Sequence, residues 1–297
     1  MEVLISLFKK TMSRTTTKEE NLTTVLITGA SSGIGKVTAL RLAKKRYFVI
    51  GTGRSRTRLQ KLSRDAEKIG LNIETIQIDF NSIESIDNAF KSSLLTKSRV
   101  DVLINNSGFG MWGPLETLSH EEMLVQFQTN LFGPMALTRL VIPQLRESRN
   151  GKIINIGSIL GRIGTPFNGA YVASKFAVEG LSESLRLELS PFGISVSIVE
   201  PGNFVTEFEK NQIRGKDSES TKFPYRELLQ KYRNRRRSFD WAANPDKVAR
   251  VIEGIIKSSS PKLRYVVGLD ARLALFARQI LPEKLFFHIL RKLSMGK

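Results

Sequence analysis

Short runs of aliphatic and β-branched residues recur along this chain, and between them apolar residues return every three or four positions. Val25-Leu26-Ile27 is the first run, and it predicts a buried parallel strand. Residues 35–46 place Val37, Leu40, Leu42 and Ala43 among Lys and Arg, which predicts a helix. Tyr47–Ile50 predicts a second strand, 56–69 a charged amphipathic helix, and 73–78 a third strand ending at Asp79. Residues 84–95 read as a helix and 100–104 as a fourth strand. A long helix is expected over about 121–140, kinked at Gly133-Pro134 because proline removes a backbone hydrogen bond. Ile153–Ile156 and Ile194–Val199 predict strands five and six around a long helix at 169–190. A polar, basic stretch runs from Pro201-Gly202 to about Asn244. Pro245 then starts a helix, and Tyr265–Val267 forms a seventh strand. Such alternation implies right-handed βαβ crossovers, so the expected fold class is α/β: one doubly wound domain with helices on both faces of a seven-stranded parallel sheet.

Composition narrows the chemistry. The 297 residues include no Cys, which excludes disulfides, Cys-ligated metals and a thiol nucleophile. With only His120 and His288, no metal site is expected. The formal charge is +18, and its excess is concentrated in two segments. Residues 209–237 hold ten basic and four acidic residues, including Arg233-Asn234-Arg235-Arg236-Arg237; residues 261–297 hold eight and two. A solvated basic surface accounts for this first, a membrane surface or acidic protein partner second. No nucleic acid is expected as a partner. At the N-terminus the apolar run Val3 to Phe8 is shorter than a signal-peptide core and far short of the ~20 residues of a membrane span. Residues 13–24 read as a flexible lead-in, and Met1 and Met12 are both candidate starts. A cytoplasmic location is the expectation.

Candidate chemistry begins at Thr28–Gly35, directly between the first strand and the first helix. Gly29, Gly33 and Gly35 permit a tight turn and close approach of a pyrophosphate. Ser31, Ser32 and Ile34 bring backbone to the same place, where the helix N-terminus offers N–H donors and a positive dipole end. An ordinary glycine turn is the plainer alternative. At the end of strand two, Gly51-Thr52-Gly53-Arg54 carries no acid for a ribose 2′-hydroxyl, whereas Arg54 suits a 2′-phosphate. The expected cofactor is NADP(H). Tyr171 and Lys175 lie four apart on one helix face. A phenol with a pKa near 10 becomes a better acid and base at neutral pH beside an ammonium. Ser158 follows strand five, at a strand's carboxyl end, where its hydroxyl can bond a substrate oxygen.

These motifs, with Asn105-Asn106-Ser107-Gly108, Asn130 and Pro201-Gly202 followed by Thr206, resemble the short-chain dehydrogenase/reductase family over about residues 24–206. The Gly-Thr-Gly-Arg turn and the Arg264-Tyr265 strand look most like the group with 17β-hydroxysteroid and retinol dehydrogenases. The resemblance implies a Rossmann-type domain in which Tyr171 moves the proton, Lys175 lowers its pKa and binds the nicotinamide ribose, and Ser158 polarises the carbonyl. It implies that Asn130 holds a water linking Lys175 to solvent. Asp79 would meet the adenine, Asn106 the adenine ribose and Thr206 the carboxamide, with Val205 also binding the cofactor. Ser107 replaces the usual Ala, and Ser32 stands where some NADP enzymes have a second basic residue.

The resulting expectation is an NADP(H)-dependent oxidoreductase acting on a carbonyl or alcohol of a medium-sized hydrophobic substrate such as a steroid or retinoid. A 3-oxoacyl reductase and an idle NADP-binding sensor or scaffold are the alternatives. Apolar walls are expected from Phe109, Met111, Trp112 and Leu115, and from a lid over about 203–244 carrying Phe208, Phe223, Tyr225, Leu228, Leu229, Tyr232 and Trp241. The expected division is a lead-in over 1–22, a catalytic domain over 23–270 and an amphipathic tail over 271–297. That tail either packs on the protein or makes peripheral membrane contact. A homodimer or homotetramer through helices 121–140 and 169–190 is implied by the resemblance.

Overall fold

The computed structural model describes residues 22–148, 150–208, 211–218, 220, 223–238 and 243–296. Residues 1–21, with the Val3–Phe8 run and most of the lead-in, lie outside the described residues, as does Trp241.

Seven parallel strands form the centre: β1 (Thr24–Ile27), β2 (Phe48–Gly53), β3 (Glu74–Gln77), β4 (Val102–Asn105), β6 (Lys152–Ile156), β7 (Ser195–Pro201) and β9 (Arg264–Val267). Their spatial order is β3-β2-β1-β4-β6-β7-β9. The order reverses beside β1, which opens a crevice at the carboxyl ends of β1 and β4, where ligands of such sheets bind. The central strands are apolar on both sides because helices cover both faces. On one face α1 (Gly33–Lys44), α2 (Arg56–Glu67) and α9 (Asp246–Lys257) pack on Val25, Ile27, Val49, Ile104 and Val199. On the other, α3 (Ile83–Phe90), α6 (Gly133–Glu147) and α7 (Gly169–Leu189) cover Leu26, Ile50, Leu103, Ile153 and Val196.

Four sequence expectations change in detail. The helix expected at 84–95 ends at Phe90 and resumes as α4 (Ser93–Lys97). The helix expected at 121–140 is three pieces: α5 (His120–Phe127), a π-helical turn at Gln128–Phe132, and α6. Pro134 falls in the first turn of α6, directly after the π-helical turn. The lid contains α8 (Arg226–Ser238), and the short strands β5 (Met111–Trp112) and β8 (Ile213–Arg214) pair in parallel. The tail is two helices, α10 (Leu269–Ile280) and α11 (Glu283–Met295), broken at Leu281-Pro282. No helix among the described residues is long and apolar enough to cross a membrane.

Candidate active site

A cleft of about 860 Å³ lies over the carboxyl ends of the strands. Gly29, Ser31, Ser32, Gly33, Ile34, Arg54, Asp79, Asn106, Ser158, Tyr171, Lys175 and Thr206 all line it. Residues from 29 to 206 thus converge on one space. Gly35, Asn130 and Val205 do not line it.

The floor is the turn between β1 and α1. Gly29 and Gly33 adopt left-handed φ angles of +64° and +52°, which side chains rarely tolerate. Gly35 sits behind the turn: a Cβ there would lie 2.3 Å from the Gly29 carbonyl oxygen and 2.4 Å from Asn106 Nδ2. Its role is therefore close packing of α1 against the turn. Ser32 caps α1 with extended backbone but no side-chain hydrogen bond, and the first turn holds no acid. The N-terminal amides of α1 thus keep their attraction for an anion. Asn106 Nδ2 donates to the Thr28 and Gly29 carbonyl oxygens at 2.9 and 3.1 Å, and Thr28 Oγ1 accepts from the Asn106 and Ser107 amides. The Asn106 side chain therefore staples the turn to the end of β4.

At the rim, Arg54 is joined by Arg58, in the first turn of α2. Sequence reasoning missed Arg58; its four-residue spacing from Arg54 was the available signal. Asp79 Oδ1 accepts from the Asn81 backbone amide and Nδ2 at 3.0 and 3.2 Å, which fixes the loop after β3. Thr206 lies above the turn, with its Cβ 3.5 Å from where a Gly33 Cβ would be. Val205 points to solvent at 64% exposure.

The reactive side chains meet on the opposite wall. Ser158 begins the turn after β6, and its Oγ accepts from the Leu160 amide at 3.1 Å. Tyr171 and Lys175 project from the first turns of α7, both buried, with Lys175 Nζ 5.9 Å from the Tyr171 ring centre. Nζ also donates to the Ile156 carbonyl oxygen at 2.7 Å. Burial pulls the Lys175 ammonium down to about 8, and Glu179 pulls it upward. Asn130 stands on the π-helical turn, which swings it inward. Its Oδ1 accepts from the Phe109 amide, and its Nδ2 donates to the Phe109 carbonyl oxygen and to Ser174 Oγ. A separate cavity of about 20 Å³ touches Asn130, Lys175, Ser107 and Asn105. Asn105 Oδ1 is buried without a hydrogen-bond partner. A space of that size holds one water.

The third wall is aromatic. Phe208 packs on Tyr171 at 5.6 Å between ring centres. Trp112, Phe167, Tyr225 and Tyr232 form a cluster, with the Arg233 guanidinium 4.5 Å above Trp112. Tyr232, Arg235, Leu293 and Ser294 carry the cleft out to α8 and α11. Asp270, at the start of α10, accepts from the Asn203 amide at 2.7 Å and fills the space that a Gly202 Cβ would need.

The chain is similar to known proteins in sequence and in fold. Residues 23–217 match the short chain dehydrogenase family. Human retinol dehydrogenase 8 is 40% identical over 92% of this chain and 93% of its own. A 3-ketodihydrosphingosine reductase of Bacteroides thetaiotaomicron is 37% identical over 90% and 96%. Among solved structures, a short-chain dehydrogenase from Streptomyces avermitilis superposes with a TM-score of 0.78 at 32% identity, covering 94% of this chain and 99% of that one. A metagenomic short-chain oxidoreductase solved with NADP superposes at 0.66 and 28%, covering 84% and 98%. By its match to the family over most of its length and by its likeness to these relatives in sequence and fold, this chain belongs to the short-chain dehydrogenases and is an oxidoreductase.

Proposed function

We propose that this protein interconverts a carbonyl and an alcohol on a medium-sized hydrophobic substrate, using NADP(H), with Tyr171 as general acid and base. The observation that carries the reading is the convergence of Ser158, Tyr171 and Lys175 on the cleft floored by the glycine turn. The residues fit NADP(H): two left-handed glycines leave space for a pyrophosphate, α1 lacks a side-chain cap, and Arg54 and Arg58 stand where an acid would favour a free 2′-hydroxyl. When bound, NADP(H) supplies or accepts the hydride. In reduction, the Tyr171 phenol gives its proton to the substrate oxygen; in oxidation, the phenolate takes it back. The Lys175 ammonium favours the phenolate. Ser158 Oγ bonds the substrate oxygen and orients it. Asn130 shapes the small cavity beside Lys175, from which one water reaches the proton path.

Aromatic and aliphatic walls support an apolar substrate, as do relatives named for a keto-sphingoid base, a retinol and a hydroxysteroid. Exposed Phe132, Met135 and Phe176 support pairing of two copies through the helices flanking the π-helical turn and α7; sedimentation velocity tests this. Exposed Leu273, Phe276 and Phe287, interleaved with Arg272, Arg278 and Lys284, support peripheral membrane contact by the tail. Flotation with anionic vesicles tests that contact. The activity itself is tested by a panel of hydrophobic ketones and alcohols with NADPH/NADP⁺ and NADH/NAD⁺. Turnover with the phosphorylated pair is expected; none with any substrate overturns the reading.

A further inference from the structure

Beside Lys175 lies a cluster of buried charge that the proton path above leaves unused. Lys175 and Glu179 stand one turn apart on α7, so both face the same strip of the sheet. Glu200, on β7, is completely buried. Arg264, on β9, joins the two acids: its Nε donates to Glu179 Oε2 at 3.0 Å and lies 3.7 Å from Glu200 Oε1. Arg162 donates to Glu200 Oε1 at 3.1 Å. Glu183, a turn further along α7, takes an Nη2–H of Arg264. Among the described residues, these groups and Lys175 supply the charge that faces the pair from α7, β7, β9 and the turn after β6.

Two oxygens in this cluster are bare. Glu179 Oε1 and Glu200 Oε2 are shut off from water and accept no hydrogen bond. Leaving buried carboxylate oxygens unpaired is costly. Each carboxylate disfavours ionisation of the other, against the pull of Arg264 and Arg162. A single proton resolves both problems, because a protonated carboxyl can donate to its neighbour. Burial, and next Glu200, push Glu179 up to about 7 against the pull of Arg264. Glycines make the room. A Cβ on Gly157 would lie 3.1 Å from Glu179 Oε1, and one on Gly161 would lie 3.2 Å from Glu179 Cγ. The pair is therefore wedged between the turn that carries Ser158 and the helix that carries Lys175.

We propose that Glu179 and Glu200 form a one-proton carboxyl pair that sets the charge of Lys175 and, through it, the proton affinity of Tyr171. The proposal rests on the reading of Tyr171 and Lys175 as the proton-transfer residues. Both acids are positioning residues, since neither lines the cleft. The sign follows from the geometry. Below neutrality the pair keeps its proton and carries one negative charge. As the pH rises, that proton leaves and a second negative charge appears one turn from Lys175. The added charge holds Lys175 as an ammonium through the range where burial alone would discharge it.

The test uses the full chain as native protein, Glu179→Gln and Glu200→Gln. Infrared spectra across a pH titration report protonated carboxyls, and ¹⁵N spectra of labelled lysine report the Lys175 ammonium. In the native protein a buried protonated-carboxyl band should persist at pH 6 and fade through about pH 7; each Gln variant should lack it. Lys175 should discharge about one pH unit lower in Glu179→Gln, and the alkaline limb of the kcat profile should move down with it, while the KM for NADPH stays within about twofold. A native spectrum with no such band at pH 6, or Lys175 titrating at the same pH in native and Glu179→Gln proteins, overturns the proposal. Should Glu179→Gln fail to fold, the native band and Glu200→Gln decide the matter. Neither spectroscopic readout needs turnover, so failure here is separable from failure of the oxidoreductase reading.

Discussion

The cofactor side of the cleft and its substrate side are held by different forces. On the cofactor side, backbone does the holding: left-handed glycines, a helix N-terminus and strand ends, with Asn106 stapling the turn from β4. Gly29 and Gly33 are dictated by their left-handed backbone, and Gly35 by the lack of room for a Cβ. On the substrate side, rings from three separate segments hold one another. Trp112 comes from β5, Phe167 from the loop before α7, and Tyr225 and Tyr232 from the lid. Phe167 even accepts a φ of +61° within this cluster. Side-chain packing of this sort tolerates exchange of one apolar group for another. One fold can therefore keep its nucleotide site fixed while its substrate wall drifts.

The seam between the two sides is Tyr171, and breaking it should give the largest effect. Tyr171→Phe should lower kcat by about 10³-fold, the range of a lost general acid–base group, with NADPH affinity unchanged in a fluorescence titration. Near-native turnover would sink the mechanism. Next comes the cofactor side. Gly35→Ala drives a methyl group into the Gly29 carbonyl and Asn106, so unfolding stability should fall by about 3 kcal/mol. Gly254→Ala is the control. A Cβ there meets nothing within 4 Å on the exposed face of α9, and the helix should gain about 0.5–1 kcal/mol. If thermal denaturation shifts both variants alike, steric fixation of the turn is not the reason for its glycine.

That contrast also explains what could be read in advance. The sheet was legible because a strand buried on both faces is written as a continuous apolar run, as in Val25–Ile27 and Val102–Ile104. The glycine turn and the Tyr171–Lys175 pair were legible because both are local, at spacings that helix and turn geometry impose. The pairing of Met111-Trp112 with Ile213-Arg214 was not, since two residues carry no period and the partner lies about a hundred residues away. Pro282 was visible, yet the apolar pattern runs through it, so the tail read as one helix. Arg58 looked like one more charge on an amphipathic helix. Glu179 carries no signal of its own in the sequence, which does not reveal that β7 and β9 bring Glu200 and Arg264 to meet it.

Arg54 sharpens the comparison from the rim. A charge-assisted bond to a phosphate is worth about 1.5–3 kcal/mol, so Arg54→Ala should raise the KM for NADPH by about 10- to 100-fold and leave the KM for NADH nearly unchanged. Arg58→Ala should act in the same direction with a smaller effect. Equal losses with both nucleotides would mean that these guanidiniums do not read the 2′-phosphate.

Tyr232→Phe should give the smallest change, and it isolates the substrate side. The Tyr232 hydroxyl accepts from Asn168 Nδ2 at 3.1 Å, and its ring stacks on Trp112 and meets Phe167 edge-on. Removing the hydroxyl loses one hydrogen bond but keeps the ring. Asn168 still donates to the Pro166 carbonyl oxygen at 2.9 Å and to Thr165 Oγ1 at 3.3 Å, so no buried amide is stranded. The cost should be about 1 kcal/mol of stability. Because Tyr232 belongs to the aromatic wall of the cleft while the nucleotide turn forms its floor, the KM for a hydrophobic substrate should change by about two- to fivefold, and that for NADPH should not move. Equal shifts in both constants would mean that the aromatic wall and the glycine turn are one mechanical unit, and the division between the two sides of the cleft would fail.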